Sequence, residues 1–150
     1  IGLSLSKKYK VKMWVESAER ADFLNNNKKN SGILPDIEIP DNIEFSNDYE
    51  YVLNNSFVVF IAVTAKFVDS VSKELKNYNL KGKYFCILSK GIEQNTCEFV
   101  TDVFNRNIKT KNVAVISGPS FAIDIANGEP VGLSIASKSK TTIDIIKKTL

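Results

Sequence analysis

Residues 57–63 read FVVFIAV, an unbroken apolar run with no polar residue alternating through it. A strand with one face in water alternates apolar and polar side chains, whereas a short run apolar on both faces is the signature of a strand inside a parallel sheet, covered by helices on each side. The expectation is a central strand over 57–63, and with it a layered α/β chain.

The neighbouring segments carry the same alternation. Phe67, Val68, Val71 and Leu75 fall at helical spacing after the run, and Tyr84 to Leu88 supplies another buried strand. Phe99, Val100, Val103 and Phe104 mark a helix, Val113 to Ile116 a strand, Phe121 to Ala126 a helix, Val131 to Ala136 a strand and Ile143 to Leu150 a helix. Upstream, Ile1 to Tyr9 reads as the end of a helix and Val11 to Val15 as a strand. Ser17 then caps a helix carrying Ala18, Ala21 and Leu24, ended by Asn25–Asn27 and Gly32. Residues 33–45, ILPDIEIPDNIEF, hold two prolines and read as an extended loop leading to a short strand at Ile43–Phe45, with a short helix over Asp48 to Asn55. Strand and helix in alternation predict a doubly wound parallel sheet. The 150 residues fit one domain, and a 43% hydrophobic, 25% charged composition is that of an ordinary soluble globule.

Charge and cysteine usage exclude several classes. The net charge of +3 is dispersed, with Lys7-Lys8, Lys28-Lys29 and Lys147-Lys148 far apart in sequence, so nucleic acid is not the expected partner. Cys86 lies in an apolar run and Cys97 in an expected helix, without CxxC spacing and without any histidine, so no metal site and no Cys–His nucleophile is expected. Two unpaired cysteines suit a reducing, cytoplasmic setting. No stretch reaches the roughly 18 consecutive apolar residues of a membrane span. The chain opens on Ile1 without an initiator Met and is expected to start inside a longer gene product.

In a doubly wound sheet, ligands bind beyond the carboxyl ends of the strands. The residues there are Glu16; Thr64, Ala65 and Phe67; Ser89, Lys90 and Gly91; and Ser117, Gly118 and Ser120. Lys90, held between small residues, can hold an anionic substrate or polarise a carbonyl; the plainer alternative is a solvated lysine. VISGPSFA, residues 115–122, breaks with small residues between a strand and a helix. Either it is an ordinary turn with Pro near the first helical position, or a helix starting near Ser120 aims free N–H groups at a phosphate or carboxamide while Gly118 lets the backbone close on it. Phe67 is a core residue or a platform for a flat heteroaromatic ring. Glu16 is a surface acid or the acid that dinucleotide folds place on a ribose. Glu93 reads as solvated.

VKMWVES (11–17), ILPDIEIPDNIEF (33–45), FVVFIAVTAKF (57–67), LSKGIE (88–93), ISGPSFA (116–122) and GEPVGLSIAS (128–137) together resemble the N-terminal domain of bacterial-type NAD(P)-dependent glycerol-3-phosphate dehydrogenase, in order and spacing. The resemblance covers essentially the whole chain. It implies a Rossmann-like partial dinucleotide-binding domain over 1–150, with the first strand and its GxGxxG loop upstream of Ile1. It further implies a helical C-terminal domain, carrying the principal catalytic lysine, beyond Leu150. It implies substrate contacts from Lys90, Gly118 and Ser120 and cofactor contacts from Lys90, Phe67 and Ala122, with Glu16 as the cofactor-binding candidate of the strand-end reading and no catalytic residue assigned inside the chain. Thr64 stands where the family commonly has Pro, and Glu16 where bacterial members commonly have a basic residue. An acid there repels a 2′-phosphate, so of NAD and NADP the chain leans to NAD.

The implied function is reduction of dihydroxyacetone phosphate to sn-glycerol 3-phosphate by hydride transfer, supplying glycerophospholipid synthesis, with a phosphorylated small molecule as partner and a homodimer compatible with it. The alternatives are a related dehydrogenase of another hydroxy or keto acid, with the same Rossmann-plus-helical plan, and a non-catalytic nucleotide-binding remnant.

Overall fold

The structure is a computed structural model and describes residues 1–30 and 34–150. In chain order its elements are α1 (Gly2–Ser6), β1 (Val11–Trp14), α2 (Ala18–Asn27), β2 (Lys29–Asn30), β3 (Leu34–Glu38), β4 (Ile43–Ser46), α3 (Tyr49–Leu53) and β5 (Val58–Ile61). A 3-10 turn at Ala65–Phe67 leads into α4 (Val68–Leu75), followed by β6 (Tyr84–Ile87), α5 (Val100–Ile108), β7 (Val113–Ser117), α6 (Ala122–Asn127), β8 (Ser134–Ala136) and α7 (Lys140–Thr149). They form two compact units: Ile1–Asn54 and Pro119–Gly132 with Leu150, and Asn55–Gly118 with Leu133–Thr149.

The first unit is built on β1, which runs parallel to β4 with Val11 opposite Ile43. Leu24, Ile39 and Ile43 form its core, with Leu3, Val11, Val15 and Phe45 packed against them. The Ser17 hydroxyl accepts the Arg20 amide at 3.2 Å, satisfying one free donor of the first turn of α2. That helix ends on Lys28 in the left-handed region, φ 53°; Gly32, expected to help end it, lies outside the described residues. The proline-rich stretch is not a loop throughout: β3 pairs antiparallel with β2, Lys29 opposite Glu38.

The second unit carries a four-stranded sheet in the order β5-β6-β7-β8. Its first three strands are parallel. Phe85, Cys86 and Ile87 of β6 are all buried. Phe85 meets Phe104 of α5 at 5.2 Å between ring centroids, and Cys86 joins Ala114, Ile116 and Ile146 of α7 in one cluster. β6 is therefore the strand covered on both faces. Among the described residues β5 is the outer strand of this sheet, and Ile61 is its one buried residue. Val58 and Phe60 pack against the Cys86 cluster.

One correction concerns the last strand. It is confined to Ser134–Ala136 and runs antiparallel to β7, Val115 opposite Ala136. Antiparallel pairing sets the hydrogen bonds of Val115–Ser117 perpendicular to the strands. Cys97, expected in a helix, lies in a loop with φ 57° and is exposed.

Candidate functional site

The parallel strands of the second unit deliver their carboxyl ends to one edge of the sheet, and hydrogen bonds fix the residues just past those ends. Leu88 N–H donates to Ile61 O at 2.9 Å. One residue further the ladder is continued by a side chain, the Ser89 hydroxyl donating to Val63 O at 2.5 Å. Ser89 is 7% exposed, so Lys90 emerges from a pinned neighbour. Lys90 itself is exposed, and its ammonium donates to Gly118 O, at the end of β7, across 3.4 Å. An ammonium has three donors, and among the described residues this one makes a single long contact, which leaves capacity for an anion or a polarised carbonyl. Gly91 comes next at φ +99°, with nothing within 4 Å of where a Cβ would stand. A side chain would strain that backbone, whereas glycine adopts it freely.

Phe67 ends the 3-10 turn and is 49% exposed. The core alternative for it is corrected: Val68, fully buried, takes the inward position and leaves the ring at the surface. The Lys66 ammonium sits 4.7 Å from the ring centroid, within cation–π range. Because Val63 accepts the Ser89 hydroxyl, the segment leading to Phe67 and the segment carrying Lys90 are tied together.

Glu93 overturns its expectation as a solvated side chain: it is 2% exposed. Its carboxylate accepts from Asn95 N at 3.2 Å, Asn95 Nδ2 at 3.0 Å, Thr96 N at 2.9 Å and Thr96 Oγ1 at 2.9 Å. The backbone donors of Asn95 and Thr96, then the Thr96 hydroxyl, hold its carboxyl below the usual carboxylate range. The signal present in the sequence was an acid two and three residues ahead of Asn95 and Thr96, a spacing that lets one carboxylate collect the donors of its own turn. Cys86 is the opposite case, its thiol pushed up to about 12 by burial.

Glu16, Ser120 and Ala122 lie in the first unit. Glu16 is exposed just past β1. That strand end is steadied by Trp14, whose Nε1 donates to Asn47 O at 3.0 Å and whose ring stacks on Tyr49 at 4.6 Å. Ser120 is half-buried and Ala122 exposed. The helix expected from near Ser120 starts at Ala122, with Phe121 at its N-cap and no side-chain cap, so Pro119 is not at the first helical position. A polar recess of about 590 Å³ in the same unit is lined by Lys28, Asp41, Glu44, Asp48 and Tyr51 among others, and none of the expected site residues lines it.

In the second unit an exposed ammonium, an open glycine and an exposed ring lie along tied loops, as an anion and a flat ring require. In the first, an exposed carboxylate stands just past a parallel strand, the chemistry that accepts from ribose hydroxyls.

Comparison with known proteins adds the family. Residues 1–143 match the family model described as the NAD-dependent glycerol-3-phosphate dehydrogenase N-terminus. A protein of Fusobacterium nucleatum named glycerol-3-phosphate dehydrogenase (NAD(P)+) is 30% identical over 88% of this chain and 40% of its own length. One of the same name from Wolbachia pipientis is 32% identical over 94% of this chain and 43% of its own. The chain thus spans less than half of the curated relatives it matches. Among solved structures, glycerol-3-phosphate dehydrogenase from Coxiella burnetii superposes with a TM-score of 0.91 at 23% identity, covering 99% of this chain and 46% of that one, a likeness of fold.

Proposed function

This chain belongs to the NAD-dependent glycerol-3-phosphate dehydrogenase N-terminal family, and from that we propose that it is the dinucleotide-binding part of an enzyme reducing dihydroxyacetone phosphate to sn-glycerol 3-phosphate. The observation that carries the reading is the Lys90 ammonium, exposed beyond β6 and 3.4 Å from Gly118 O. Lys90 and Gly118, with Ser120 downstream, would bind and orient the phosphorylated three-carbon substrate. Phe67 and Ala122 would contact the nicotinamide cofactor, and Glu16 its ribose, with NAD favoured over NADP. When bound, the reduced nicotinamide supplies the hydride. On this reading Lys90 would hold the substrate by charge while the hydride goes to C2 and a proton to its carbonyl oxygen. A cytoplasmic setting agrees with free cysteines and with the absence, among the described residues, of any helix long and apolar enough to cross a membrane.

The test is NADH absorbance on adding dihydroxyacetone phosphate to the whole gene product, repeated with NADPH. Rapid loss supports the reading, and the ratio of the two rates reports the role of Glu16. No loss with either cofactor from a folded protein overturns it.

A further inference from the structure

Lys90 stands between two fixed points. Upstream, Ser89 is buried and tied to Val63 O at 2.5 Å. Downstream, beyond the left-handed Gly91, the chain enters a closed loop. Glu93 N–H donates to Glu98 O and Glu93 O accepts from Cys97 N–H, each at 2.9 Å. Ile92 and Phe99 bridge its base. Phe99 is the N-cap of α5, whose Val100, Val103 and Phe104 are in the core. The Glu93 carboxylate sits inside this loop, gathering four donors from Asn95 and Thr96.

An ionised carboxylate is rarely covered unless its hydrogen bonds are supplied, and here they are supplied locally. It is also an acceptor with two oxygens, so an amide of the same shape cannot replace it: one oxygen becomes an NH₂ facing donors. We infer that Glu93 is the positioning residue of Lys90, the post that fixes the downstream side of the Ser89–Gly91 turn so that the ammonium is held beside Gly118 O. The role rests on the reading of Lys90 as a substrate-binding residue, and the test separates the two.

The kinetics of dihydroxyacetone phosphate reduction by the whole gene product are measured for the wild type, Glu93→Gln, Thr96→Val, Lys90→Ala and the double variant Lys90→Ala/Glu93→Gln. Misplacement of a binding group by about 1 Å costs on the order of 100-fold. Glu93→Gln is therefore expected to lower kcat/KM by about 10- to 100-fold with unchanged circular dichroism, and Thr96→Val to lower it less, in the same direction. On the Lys90→Ala background the Glu93→Gln effect is expected to shrink to within about twofold, because a residue that acts through another is silent once the other is gone. An equal loss in both backgrounds, or wild-type kinetics from Glu93→Gln beside an impaired Lys90→Ala, overturns the proposal. Wild-type kinetics from Lys90→Ala overturn the underlying reading instead. If Glu93→Gln does not fold, Thr96→Val on the two backgrounds decides by the same criterion.

Discussion

Lys90 was legible as a candidate because a lone cation among small residues comes straight after an apolar strand; its hydrogen bond to Gly118 O joins residues 28 apart and is invisible to local pattern. Lys90→Ala in the whole gene product is expected to cut turnover by about 10²- to 10³-fold, the worth of one well-aimed donor, while circular dichroism stays unchanged. Glu16→Arg is expected to shift the kcat/KM ratio toward NADPH by roughly fivefold, the equivalent of about 1 kcal/mol for an exposed charge pair. The cysteines should part company with a thiol reagent. Exposed Cys97 should react promptly at pH 8, whereas Cys86, its thiol raised to about 12 by burial, should react only after denaturant is added. Glu93 was misread because its spacing to Asn95 and Thr96 was passed over, the one local signal that a carboxylate can collect the donors of its own turn.

At the level of elements, helices and strands were read from period and capping, so α2, α4, α5 and β6 lie where spacing put them. Which way the last strand runs was not readable, since that depends on the neighbour it finds. The load on β6 is shared with α5: Phe104→Ala removes a fully buried ring packed on Phe85 and is expected to cost about 3–5 kcal/mol in chemical denaturation. Acid should find the ends of α4 and α5. The Asp69 carboxyl is held low by Lys73, at 2.6 Å, then by Asn107, and Glu93 is held low by its loop. A depressed carboxyl adds stability that is present above its ordinary value and lost as pH falls through the folded one. The denaturation midpoint should thus hold from pH 8 to about 5 and drop at lower pH, and in Glu93→Gln that drop should be smaller.

For the whole molecule, the chain spans 40% of the length of the Fusobacterium nucleatum relative. The α/β class and the family were legible in the sequence because both rest on local runs; the partition into two units was not, because it depends on which distant segments associate. One small bond has a wider effect. The Ser89 hydroxyl on Val63 O ties together the two loops that leave β5 and β6, so on the proposed reading less freedom would remain to be lost when a ligand binds there. Each side chain already immobilised spares on the order of 1 kcal/mol at the moment of binding, and Ser89→Ala would show it as weaker affinity with every contact group still present.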